Sequence, residues 1–148
     1  FRLRWQEVRY EPGSLKVVGL DDDGNAVAKS TVQTAAAPAR VALEVDRKRL
    51  AAGSEELAFI AVVVQDEAGN PCPHADNFIR FAVEGPGRIM AVGSGDPTST
   101  EPFVANTRKA FHGRCLLIVG TDGDGAGALR ITAASDGLAG AEIQLAVE

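Results

Sequence analysis

Hydrolysis of a glycosidic bond calls for two facing carboxylates. Asp96 and Glu101, in one polar stretch with His112 close behind, come nearest to such a set in this 148-residue chain. The same residues have a plainer reading. Asp96-Pro97 is turn chemistry, Glu101 is a solvated loop acid, and no third residue positions the pair. A nucleophile is no better supported, because Gly93-Ser-Gly95 lacks the spacing and the following helix of a nucleophile elbow. His74 follows Pro73 in a turn, and two distant histidines without a Cys-x-x-Cys pair make a poor zinc set. Asp122-Gly-Asp124 resembles the start of a calcium loop, but the twelfth position is Ala133, where the ligand set needs an acid, so a glycine-rich hairpin is expected. Gly85-Pro-Gly87 precedes no helix and cradles no phosphate. No catalytic residue, metal or cofactor is expected.

The residues singled out for contact are Asp96, Glu101, Asn106, Arg108 and Lys109. They lie in or beside the loop Asn106-Thr-Arg-Lys-Ala110, which Phe103 and Phe111 flank. Two readings stay open: an interdomain contact surface, or a packed crossover with both phenylalanines inside and Arg108 and Lys109 in water. A carbohydrate platform would need exposed aromatics. Trp5 alternates in phase with Phe1 and Leu3, which reads as core, and Tyr10 before Pro-Gly reads as a corner tyrosine whose hydroxyl caps nearby backbone.

The elements that would position these residues are strands. Apolar residues alternate with polar ones at Phe1–Trp5, Leu15–Leu20, Val41–Val45, Ile79–Val83, Leu129–Ala133 and Ile143–Val147, the period of a half-buried strand. Ala26–Thr34 is half-polar and suits an edge. Leu57–Gln65 is apolar on both faces, as a central strand between packed layers would be. Arg88–Val92 and Cys115–Val119 complete the set. Turns fall at Tyr10–Gly13, Asp21–Asn25, Asp66–Asn70, Glu84–Gly87 and Asp122–Gly127. Residues 47–56 read as a loop with room for one helical turn, and residues 93–113 as a long loop.

Ala35-Ala-Ala-Pro-Ala39 reads as a linker, with a boundary near Pro38. Residues 1–38 then carry the last strands of a module whose first part is missing, and residues 39–148 form a Greek-key sandwich. The chain starts in mid-strand without an initiator Met, which reads as an internal boundary. The fold class is therefore all-β: an immunoglobulin-like β-sandwich preceded by a partial β-sandwich module.

With a net charge of −5 the chain lacks the basic face of a nucleic-acid binder. No apolar run reaches the ~18 residues of a membrane helix. Cys72, between two prolines, and Cys115, at a strand start, are expected to be unpaired thiols.

Ala75–Ile89, Gly95–Phe103 and Arg108–Val119 together resemble the C-terminal immunoglobulin-like domain of glycoside hydrolase family 2 enzymes, most of them β-galactosidases, in the family's order and spacing. Trp5–Val8, Tyr10–Gly13 and Leu15–Val17 are similar to the last strands of the preceding module. Asn70–His74 is richer in proline than that family pattern, and Cys115 fits it where Cys72 does not. The resemblance implies a retaining enzyme whose two catalytic glutamates sit upstream in a (β/α)8 barrel, no part of which is present. It implies an accessory, structural role here, with the other domains of the parent enzyme as partners. A second copy of the chain and a carbohydrate are further candidate partners, and an adhesin-like surface module follows from fold similarity alone. Nucleic acid and membrane are not expected. Since the family's polysaccharide-degrading members are often exported, it also implies a periplasmic or secreted parent.

Overall fold

A computed structural model describes residues 4–148. The chain divides into two compact units, one ending at Thr34 and the other running from Ala35 to Glu148. Every named element is a strand.

In the first unit, β1 (Ser14–Leu20) and β2 (Ala26–Gln33) form an antiparallel hairpin. Asp21 makes its turn: Oδ1 accepts the amides of Asp23 and Asn25, and the Asp21 amide donates to Asn25 O. The Leu15↔Val32 pair, an apolar cross-strand contact, stays exposed. Of the strand expected over Phe1–Trp5, Phe1 to Leu3 lie outside the described residues. Trp5 is not in a strand and is 61% exposed, so its expected place in a core is corrected. Tyr10 is also exposed. Its hydroxyl reaches Thr34 Oγ1 at 3.4 Å, which in turn accepts the Gly13 amide, so it contacts a side chain where a backbone cap was expected.

The second unit starts at Ala35, a little before the boundary expected at Pro38, because Asp66 binds the intervening segment. Asp66 Oδ2 accepts the Ala36 amide at 2.9 Å, and Ala35 packs on the core. The unit comprises β3 (Arg40–Val45), β4 (Arg49–Leu50), β5 (Leu57–Gln65), β6 (Phe78–Glu84), β7 (Gly87–Gly93), β8 (Thr107–Lys109), β9 (Arg114–Thr121), β10 (Gly127–Ala134) and β11 (Ala141–Val147). They make a five-stranded sheet, β4-β11-β10-β6-β8, and a four-stranded sheet, β3-β5-β9-β7. Among these strands β4 and β11 pair in parallel and the other pairs are antiparallel. The two sheets enclose one core, with Ile60, Val62, Leu117 and Val119 from the smaller sheet and Ile79, Leu129, Ile131 and Leu145 from the larger. This is the immunoglobulin-like sandwich that alternation along the strands requires.

Two strands depart from expectation. The segment 47–56 holds no helical turn; Arg49–Leu50 joins the sheet beside β11 and buries Leu50. The long loop contains β8, paired to β6 through Ile79↔Arg108.

Candidate functional site

The long loop leaves β7 at one edge of the four-stranded sheet and returns as β8 at one edge of the five-stranded sheet. In β8, Arg108 pairs with Ile79, an inward residue, so its side chain points between the sheets. Arg108 is 1% exposed, which corrects the expectation that it lies in water or offers a surface contact. An arginine is almost never so buried unless its donors are met. Here Nη2 donates to Val92 O at 2.8 Å and to Pro102 O at 2.9 Å, while Nη1 donates to Ser99 Oγ at 3.3 Å and Glu101 O at 3.4 Å. Glu101 Oε2 is 3.5 Å from Nη1. Nε alone has no acceptor. The guanidinium also lies 5.5 Å from the centroid of Phe103. Because Val92 belongs to β7 and Arg108 to β8, the side chain ties one sheet to the other and holds the loop between them.

The other expected residues serve the same loop. Glu101 Oε1 accepts the Lys109 amide at 3.2 Å, and its Oε2 accepts the Ser99 hydroxyl. Asp96 closes a turn by accepting the Thr98 amide and hydroxyl, each at 2.8 Å, and these bonds hold its carboxyl below the usual range. Asn106 contributes through its backbone, its carbonyl accepting the Phe81 amide. Lys109 Nζ lies 2.7 Å from Asp76 Oδ2, and that bonded pair raises the lysine pKa and lowers the aspartate's. Asp96 and Glu101 are thus each engaged by their own local donors. His112 lies beyond the loop in a tight turn, with φ 50° and Nδ1 donating to Pro73 O at 3.2 Å. Phe103 is 70% exposed and Val104 81%, so the loop presents an apolar tip. Phe103 is therefore no interior anchor.

Both cysteines are buried and unpaired. Burial pushes the Cys115 thiol up to about 12 and raises that of Cys72 as well. Among the described residues, no group of His, Cys, Asp and Glu is placed to hold a metal.

This is scaffold chemistry: charged groups spent on holding backbone. Residues 41–144 match the model of "Glycoside hydrolase family 2 C-terminal domain 5". The chain belongs to that family. Residues 1–28 match a second model, described as a domain of unknown function (DUF4982). Over 146 residues the chain is 42% identical to "Beta-galactosidase BoGH2A" of Bacteroides ovatus, covering 99% of this chain and 17% of that protein. A solved β-glycosidase of Bacteroides vulgatus is 31% identical, with a TM-score of 0.87 over 95% of this chain and 18% of its own. The D00-D0 domain of intimin, 13% identical with a TM-score of 0.54, shares the fold alone. The chain thus spans about a sixth of the length of its glycosidase relatives, 17% and 18% in these two. The family C-terminal domain carries the loop and its arginine tie.

Proposed function

We propose that this chain is a non-catalytic, accessory part of a retaining glycoside hydrolase acting on β-galactosides, and that it supports the packing of the parent enzyme. The observation that carries this reading is the use made of the polar residues. Asp96 and Glu101 accept bonds from their own loop, and Arg108 joins the two sheets, so the groups best suited to chemistry serve the scaffold. Similarity to a β-galactosidase over 99% of the chain supports the class of parent. In this reading residues 1–34 supply closing strands to a preceding sandwich, whose other strands would cover Leu15, Val17 and Val32. The interdomain roles first considered for Asp96, Glu101, Asn106 and Lys109 then reduce to shaping the loop, whose Phe103-Val104 tip is the part free to touch a neighbour. A test is turnover of a nitrophenyl β-galactoside by the parent enzyme beside this chain alone. The parent is expected to hydrolyse it and the chain to match the buffer blank; turnover by the purified chain would overturn the reading.

A second reading, carbohydrate binding, draws on the exposed aromatics Trp5, Tyr10 and Phe103. Stacking on a sugar would quench Trp5 fluorescence when a galactan is added, and an unchanged spectrum with no retention on galactan in affinity electrophoresis would remove it.

A further inference from the structure

An isolated sandwich turns polar side chains outward from both sheets. The five-stranded sheet mostly does so: Arg80, Arg130, Thr132, Glu142 and Gln144 lie on its outer side, with Arg130 Nε 3.5 Å from Glu142 Oε1, and Phe78, in phase with Arg80 at the start of β6, is its exposed large apolar residue. The four-stranded sheet does not. Core residues Ala58, Ile60, Val62 and Val64 of β5, and Cys115, Leu117 and Val119 of β9, take the inner positions. Their apolar alternates therefore face out: Leu57, Phe59, Ala61 and Val63 on β5 and Leu116 and Ile118 on β9. None belongs to the core cluster or packs on it; Val63 is buried, Phe59 is exposed and the other four are half-buried. The register sets them side by side, Phe59 opposite Ile118 and Ala61 opposite Leu116. A bulge between Ile89 and Ala91 adds Met90 to the group: a Cβ on Gly120 would meet Met90 Cγ at 3.1 Å and Leu57 Cδ2 at 3.2 Å. Phe59 is 41% exposed, while Arg40, Glu44 and Arg114 stand exposed at the margin. An apolar centre with a charged rim is the anatomy of an interface.

We infer that this outer face of β3-β5-β9-β7 is the surface by which the module docks on another domain of its own polypeptide. The inference rests on the accessory reading above. The occupant follows from two facts. The chain covers only 17% of its β-galactosidase relative, and the family is by description a C-terminal domain, so most of such a polypeptide lies beyond these residues and is joined to them covalently. A tethered partner meets the face at an effective concentration of about millimolar. The centre also carries no charge, as in permanent contacts.

The test uses the full-length parent carrying Phe59→Cys or Arg130→Cys, labelled with a maleimide under native conditions and quantified by peptide mass spectrometry. Position 59 should label at least tenfold more slowly than position 130, with both variants keeping parental turnover. Equal rates would overturn the docking face. Hydroxyl-radical footprinting of the unsubstituted parent checks the same face without a variant: Phe59 and Met90 should be protected, and ready oxidation of both counts against it. Protection lost on dilution to a monomer, measured by light scattering, would make a second copy the occupant and overturn the assignment. A parent lacking residues 35–148 separates the two claims. If the deletion lowers the melting temperature while position 59 labels freely, only the face is wrong; if the deletion changes nothing, the accessory reading fails with it.

Discussion

Replacing Arg108 with alanine should unfold the clamp from within. Two of its bonds are short, 2.8 Å to Val92 O and 2.9 Å to Pro102 O. A hydrogen bond to a charged donor contributes ~1.5–3 kcal/mol, so these two supply about 3–6 kcal/mol. The longer bonds, at 3.3 and 3.4 Å, add little. Burying the guanidinium with Nε unpaired offsets part of the gain. The net loss is therefore about 3–4 kcal/mol, near the lower end of what breaking a buried charged network costs. For a domain of this size each kcal/mol moves the midpoint by roughly 3–5 °C, which gives a fall of about 9–20 °C. Arg108→Lys should recover less than half of it, since one ammonium cannot span the carbonyls of β7 and of the loop. Lys109→Ala, on the exposed side of the same strand, should leave the midpoint where it was. Thermal unfolding of the chain followed by circular dichroism reads all three. An Arg108→Ala midpoint within about 2 °C of the parent chain would refute the clamp.

Three further outcomes follow from the geometry. Gly113→Ala should cost about 2 kcal/mol or more, because φ is +74° and the new Cβ would lie 2.2 Å from Cys72 O; Gly95→Ala, at φ +73° with nothing within 4 Å, should cost about 1 kcal/mol, and denaturant titration of the pair checks the difference. Asp66 is held at about 2, below 3.8, chiefly by the Asn70 side chain and then by the Ala36 amide. Its folded pKa is depressed, so its contribution is present above pH ~4 and is lost as pH falls towards ~2. Unfolding midpoints measured across that window should fall more steeply for the unsubstituted chain than for Asp66→Asn, and parallel curves would count against the assignment. Neither Cys72 nor Cys115 should react with a thiol reagent at pH 8 in the native chain, and both should react in denaturant; fast native labelling would contradict their burial.

Much of the sandwich is legible from alternation. Leu57–Gln65 is read as a two-faced apolar strand and emerges as β5 with those bounds, and the same run announces the apolar outer face. Strands that depend on distant partners are not legible. Arg49–Leu50 has no pattern of its own and becomes β4 only because β11, about a hundred residues later, lies beside it. β8 is hidden for a similar reason: Thr107-Arg108-Lys109 is polar and sits among prolines and glycines. The long loop is found from its composition, but the inward turn of Arg108 is not. Nothing local distinguishes a solvated arginine from one whose acceptors are the carbonyls of Val92, Glu101 and Pro102, gathered by folding. Trp5 is misjudged because alternation marks a face as apolar without saying what covers it.

The most direct measurement is the stability and turnover of the parent enzyme with and without residues 35–148, using a nitrophenyl β-galactoside. An accessory, packing role predicts unchanged turnover per folded molecule and a lower temperature of inactivation on deletion. Loss of turnover in an enzyme that remains folded and equally stable would contradict it, and would place part of the chemistry in this module.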